Sequence, residues 1–198
     1  IVGESGCGKS TLGRCVLDLI EPSTGTVTFE GQDLSQLSSD MKRALRRRMQ
    51  MVFQDPYSSL NPRRTIGKTL AEPLLVHRGL RFRDALPAVL KVLDEVGLPS
   101  GAVDKFPHEF SGGQRQRVAI ARALILEPEL IVADEAVSAL DVSVQAQILI
   151  LLKRIQRERG LSYLFITHDL GVLRSFCDRV LVMYLGRVVE SGPVEQLL

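Results

Sequence analysis

The stretch Gly3 to Thr11, GESGCGKST, lies at the head of the chain and constrains everything after it. It fits G-x-x-x-x-G-K-[S/T], a loop whose backbone N–H groups ring a phosphate chain and which opens a helix with its positive end toward the same anion. Glycine suits Gly3, Gly6 and Gly8 because a side chain there would block the approach. Lys9 is placed to reach the outer phosphates, and Ser10 to offer its hydroxyl to Mg²⁺. Cys7 occupies a variable position, as do Glu4 and Ser5. The competing explanation, a glycine-rich turn before an ordinary helix, would have to produce the spacing and the Lys-Ser pair together. Taken alone, the loop predicts only that a nucleotide is bound.

Length and composition permit one sizeable core, or one core with an insertion: 198 residues, 45% hydrophobic. With 25 basic and 23 acidic residues the net charge is +2, which gives no reason to expect a nucleic-acid partner. Arg46, Arg47 and Arg48 are expected at a solvated helix end. Cys7, Cys15 and Cys177 are too scattered for a disulfide framework or a zinc pattern, and a reducing compartment follows. No apolar run approaches the roughly 20 residues of a membrane span. Only Ile1 and Val2 precede the loop, where a strand of about five or six residues is usual. The chain is therefore expected to be a piece of a longer protein, missing an upstream hairpin and most of the first core strand.

Patterning predicts a helix from Thr11 to Ile20, a strand over Thr26–Glu30, a helix from Asp40 to Arg48 capped by Ser39, and a strand over Met49–Phe53. Asp55 to Arg63, DPYSSLNPR, has loop composition. Helical segments follow near Gly67–His77, Phe82–Val96 and Gly112–Leu126 with no strand between them, so an all-helical insertion is expected. Leu130–Ala133 is a buried strand ending at Asp134 and Glu135. After it come a helix over Val144–Arg159, a strand over Tyr163–Ile166 ending at His168, a helix over Gly171–Cys177, a terminal hairpin around Gly186 and a short helix from Pro193. This order is that of a doubly wound α/β fold, in which ligands sit beyond the carboxyl ends of the strands. Gln54, Asp134 and His168 all fall at such ends.

Two adjacent carboxylates at a strand end suit phosphoryl chemistry: Asp134 to hold Mg²⁺ with Ser10, Glu135 to orient and polarise a water. Ser111, Gly112, Gly113 and Gln114, in FSGGQ at a helix start, form a second anion site without a lysine, or simply a Ser-capped helix.

In order and spacing, GESGCGKS, Gln54, FSGGQ, LIVADE, SALD and His168 resemble the nucleotide-binding domain of an ABC transporter across essentially the whole chain. The resemblance implies a P-loop NTPase, RecA-like core over residues 1–63 and 127–198 and a helical signature subdomain over 64–126. It also implies a head-to-tail dimer with a second ABC ATPase domain, identical or different, around two molecules of ATP. Catalytic roles would fall to Lys9, Gln54, Glu135 and His168. Gly3 through Thr11, Gln54, Ser111 through Gln114 and Asp141 would contact nucleotide, the last five across the dimer. Ser10, Gln54 and Asp134 would serve the metal. QDPYSSLNPRRTIG and DEAVSALDVSVQAQIL resemble the ATPases of oligopeptide and dipeptide importers, with relatives serving glutathione, nickel and other solutes. That implies permease subunits in the membrane, a substrate-binding protein acting through them, and a peripheral location on the cytoplasmic face of the inner membrane. Phe110 stands where the family usually has Leu, and Ala136 where it has Pro; the adenine-stacking aromatic of the family lies upstream of this chain. A DNA- or ribosome-directed ABC ATPase and a binding-only regulatory module are the competing readings.

Overall fold

The structure, a computed structural model, describes residues 1–55 and 59–197. Pro56, Tyr57 and Ser58, within the turn-rich stretch expected to be a loop, lie outside the described residues, as does Leu198. Three apolar runs make parallel strands: β4 (Met49–Val52), β5 (Leu130–Asp134) and β6 (Ser162–Ile166), registered so that Met49 faces Leu130 and Leu130 faces Ser162. A second sheet sets β1 (Val2–Gly3) parallel to β7 (Arg179–Tyr184), which pairs antiparallel with β8 (Arg187–Pro193). Ile1 joins the two. The Thr167 N–H donates to its carbonyl at 3.1 Å and its nitrogen donates to the Phe165 carbonyl at 2.5 Å. The strand order is therefore β4-β5-β6-β1-β7-β8, and the carboxyl ends of the five parallel strands β4, β5, β6, β1 and β7 share one edge. A small hairpin, β2 (Thr28–Phe29) with β3 (Gln32–Asp33), stands apart.

Between β4 and β5 the described residues hold helices and turns only: α3 (Ile66–Arg78), α4 (Phe82–Glu95) and α5 (Gly112–Leu124). Their apolar faces do not close on themselves. Leu70, Leu74, Val89, Leu93, Ile120 and Leu124 join one buried cluster with Ile131 of β5 and with Ile148 and Leu152 of α6 (Val142–Arg159). Burial of apolar area of this extent is the main force holding the helical stretch to the sheet. Helix α1 (Lys9–Val16) follows the phosphate loop, α2 (Ser39–Arg48) precedes β4, α7 (Leu170–Phe176) follows β6, and α8 (Val194–Leu197) ends the described chain.

Several expected boundaries shift for local reasons. Helix α1 stops at Val16, not Ile20, because Asp18 turns left-handed (φ 54°) and pairs with Lys42 and Arg46 of α2, while the Leu19 N–H closes back on the Arg14 carbonyl. Ser38, one residue before the expected Ser39, caps α2 by accepting the Met41 N–H. The strand expected over Thr26–Glu30 shrinks to two residues because the chain reverses at Glu30 and Gly31. The arginine run is not simply solvated: Arg48 clasps Glu129 before β5 and pairs with Glu30, and Arg46 reaches Asp18.

Candidate active site

The phosphate loop is shaped by what lies under it. A Cβ on Gly3 would stand 2.2 Å from the Met183 carbonyl oxygen and 2.9 Å from Cys7 Sγ, so only glycine lets the loop lie this close to β7. Cys7 is buried and its carbonyl accepts the Gly186 N–H, which makes it part of the floor of the loop and not a reactive edge. Lys9 is only 5% exposed. Its ammonium folds back to donate to the carbonyls of Gly3 and Glu4, each at 2.8 Å, holding a cation in the bowl of the loop.

Strand β5 delivers the carboxylates. The Ser10 hydroxyl donates to Asp134 Oδ1 at 2.8 Å, and Asp134 is 5% exposed. A hydroxyl and a carboxylate oxygen, beside a bowl shaped for phosphates, form the hard oxygen donor set that Mg²⁺ prefers. Among the described residues no group of three or more His, Cys, Asp or Glu could hold a metal. Mg²⁺ fits that sparse set, because it keeps several waters and takes its other ligands from substrate phosphates.

Glu135 has an unusual backbone for a non-glycine residue, φ 47°. It is held there from both sides: its N–H donates to the Ile166 carbonyl at 3.0 Å, and its own carbonyl accepts the Ser138 hydroxyl at 2.9 Å. Strain of this kind, about 1–3 kcal/mol, persists only when neighbours over-determine it. Its consequence is to swing the Glu135 carboxylate toward Gln54 and His168. Gln54 Nε2 donates to Glu135 Oε2 at 2.9 Å, and His168 Nδ1 lies 3.6 Å from Oε1. Asp169, beside His168, accepts the N–H groups of Gly171 and Val172 and so fixes where α7 begins; the Thr167 hydroxyl accepts the Asp169 N–H. Thr167, Asp169, Met183 and Gly186 are the supporting residues that motif spacing does not disclose.

The structure thus brings Lys9, Ser10, Gln54, Asp134, Glu135 and His168 to one edge of the sheet. It does not bring FSGGQ there. Ser111 caps α5 by accepting the Gln114 N–H, and Gln114 Oε1 accepts the Ser111 N–H in return. Asp141 precedes α6, exposed. No hydrogen bond or ion pair among the described residues links either to the phosphate loop. These two elements form a separate face: a Cβ on Gly113 would lie 2.5 Å from Val144 Cγ1, so α5 and α6 touch there.

A further groove of about 230 Å³ opens between β4, the turn after α1, and helices α2, α3 and α5, lined in part by Leu19, Arg46, Gln50, Phe53, His77 and Arg122. Leu19 and Phe53 are exposed apolar side chains. Burial, reinforced by Arg43, Arg47 and Arg46, lowers the His77 imidazole pKa.

A family model described as ABC transporter matches residues 1–138. The chain belongs to the ABC transporter family. Curated relatives share half or more of its residues, among them two transport ATP-binding proteins. The dipeptide transport ATP-binding protein DppF of Haemophilus influenzae is 51% identical over 197 residues, 100% of this chain and 60% of that protein. The glutathione import ATP-binding protein GsiA of Pectobacterium atrosepticum is 54% identical over 193 residues, 98% of this chain and 31% of that protein. This ABC chain therefore spans less than two thirds of either relative. Among solved structures, the dimeric, post-hydrolysis ATP-binding cassette MJ0796 bound to ADP and Pi superposes with a TM-score of 0.83 at 32% identity, covering 98% of this chain and 83% of that one. The fold is accordingly the P-loop NTPase α/β fold. No helix among the described residues is long and apolar enough to cross a membrane.

Proposed function

We propose that this chain is the Mg²⁺-dependent ATP-hydrolysing domain of an importer for dipeptides, oligopeptides or a similar small solute. The observation that carries the reading is the Ser10–Asp134 hydrogen bond behind the phosphate bowl, with Glu135 next along the chain and aimed at the same space. The loop amides and Lys9 hold the phosphate chain. Mg²⁺ bound at Ser10 and Asp134 would neutralise charge that grows on the phosphoryl oxygens. Glu135 orients the attacking water and draws its proton, and Gln54 and His168 hold that carboxylate to its task. Residues 1–63 and 127–198 act as the RecA-like core and 64–126 as the helical signature subdomain.

FSGGQ and Asp141, lying apart from the loop, serve the ATP of a second ABC ATPase domain, identical or related. The dimeric form of MJ0796 supports this arrangement. The groove at Leu19 and Phe53 receives a segment of a permease subunit, which puts the chain on the cytoplasmic face of the inner membrane as a peripheral protein. A substrate-binding protein acts on it only indirectly. DppF and GsiA carry dipeptide and glutathione in their names, which supports a cargo of small peptide character.

The test is the solution mass of Glu135→Gln with and without Mg-ATP, together with phosphate release by the wild-type protein. ATP should double the mass of the variant, and the variant should release phosphate very slowly. Bound ATP with no phosphate release from the wild type in its assembled transporter would instead identify a binding-only module.

A further inference from the structure

The phosphate loop is braced from outside by a turn. Gly3 of β1 stands in register with Met183 of β7, and two and three residues later the chain reverses through Leu185 (φ 46°) and Gly186 (φ 79°). The reversal carries the Gly186 N–H to the Cys7 carbonyl at 3.1 Å. Met183 is buried in one apolar cluster with Cys7, and the space over Gly8 is only as deep as one added methyl, since a Cβ there would just meet Met183 Cε at 3.8 Å and Gly186 Cα at 3.9 Å. Leu185 is 77% exposed. A left-handed leucine costs about 1–2 kcal/mol, and burial of its own side chain does not offset it; contact with the loop is what this turn secures.

The brace has a chemical consequence. In a trans peptide the C=O and the following N–H point in opposite directions. Fixing the Cys7 carbonyl on the Gly186 side turns the Gly8 N–H away from the turn, among the free N–H groups of the first turn of α1. We propose that Met183 and Gly186 are positioning residues for the triphosphate: the turn sets the Cys7–Gly8 peptide so that a loop amide faces the phosphates. This rests on the nucleotide-binding reading above.

The experiment is calorimetric titration of the intact protein with Mg-ATP, with thermal unfolding as the check on folding. Gly186→Asn keeps the N–H and tolerates positive φ, so its Kd should stay within about twofold of wild type. Gly186→Pro removes the donor and cannot adopt that φ, and its Kd should rise about tenfold or more. Should the proline variant not fold, Met183→Ala decides. It should weaken binding about threefold or more, and Met183→Leu should restore it. A folded Gly186→Pro or Met183→Ala with wild-type affinity overturns the proposal, as does an equal loss in Gly186→Asn. Lys9→Ala separates the two levels of inference. If it alone loses affinity, only the brace is wrong; if the wild-type protein itself does not bind Mg-ATP, the nucleotide reading falls and the brace with it.

Discussion

Ser10 and Asp134, 124 positions apart, are joined by a 2.8 Å hydrogen bond from the serine hydroxyl to Oδ1. The bond fixes the first helical turn of α1 against the end of β5, so the oxygen pair is pre-formed and needs no rearrangement to take a hard cation. Asp134→Asn keeps the shape but removes the charge. ATP hydrolysis should fall about a hundredfold or more, with the fold intact. Ser10→Ala should act in the same direction, and titration of activity against Mg²⁺ should show a raised metal requirement in both. Unchanged metal dependence in Asp134→Asn would remove Asp134 from the metal site.

The two glycines of FSGGQ should part company on mutation. Gly113 lies against Val144, 2.5 Å from where its Cβ would be, whereas the nearest atom to a Cβ on Gly112 is Leu140 Cδ2 at 3.8 Å. Gly113→Ala overpacks the α5–α6 contact and should destabilise by about 1–3 kcal/mol, visible as a Tm several degrees lower. Gly112→Ala should leave Tm within about 2 °C of wild type, since alanine suits a helix and its Cβ would meet Leu140 at ordinary contact distance. If Gly112 meets a partner's nucleotide, the same change should still reduce ATP-driven dimerisation measured by light scattering.

Much of this was legible because phosphate chemistry ties residue types to fixed spacings: Lys9 and Ser10 in the loop, Asp134 and Glu135 at the end of an apolar run. The sheet order was legible only in outline, since β1 contributes two residues and is tied to β6 by the hydrogen bonds of Ile1. What periodicity could not reveal are contacts between distant backbone atoms. Nothing in MYLGRV says that Gly186 donates to Cys7, and nothing in FSGGQ says that Gly113 is needed by Val144. The left-handed turns at Glu30 and Glu135 were equally hidden, because glutamate carries no sequence mark of positive φ, and Asp18 carried only the weak one that aspartate has.

The helical stretch is pinned to the rest of the chain by Arg159 and Glu95. Arg159, at the end of α6, donates from Nε to Glu95 Oε1 at 2.7 Å, pairs also with Oε2, and donates from Nη1 to the Leu124 carbonyl at 3.0 Å. Their side chains are 21% and 14% exposed, so solvent screens the pair less than a surface pair. Glu95→Ala leaves the guanidinium half-served in that setting and should lower stability by about 1–3 kcal/mol in urea unfolding. A double-mutant cycle with Arg159→Ala should return a coupling energy of about 0.5–3 kcal/mol. A coupling near zero would mean that apolar packing alone holds the two parts.

Acid should weaken the joint between α2 and β5. Arg48 donates to both oxygens of Glu129, Nε to Oε1 at 2.5 Å and Nη2 to Oε2 at 2.7 Å. Those hydrogen bonds hold the Glu129 carboxyl below its ordinary value. A carboxyl with a lower pKa in the folded state stabilises the fold above its unfolded pKa, near 4.3, and that contribution is lost as pH falls through the folded value. Both side chains are substantially exposed, so the effect is small and screened by salt. Thermal unfolding between pH 6 and pH 3 should therefore show a wild-type Tm that falls more steeply below about pH 4.5 than that of Glu129→Gln, with the gap between the curves narrowing in high salt. Parallel curves would mean that the clasp contributes nothing to folding, and that β5 is held in place by its strand pairing and its buried apolar side chains.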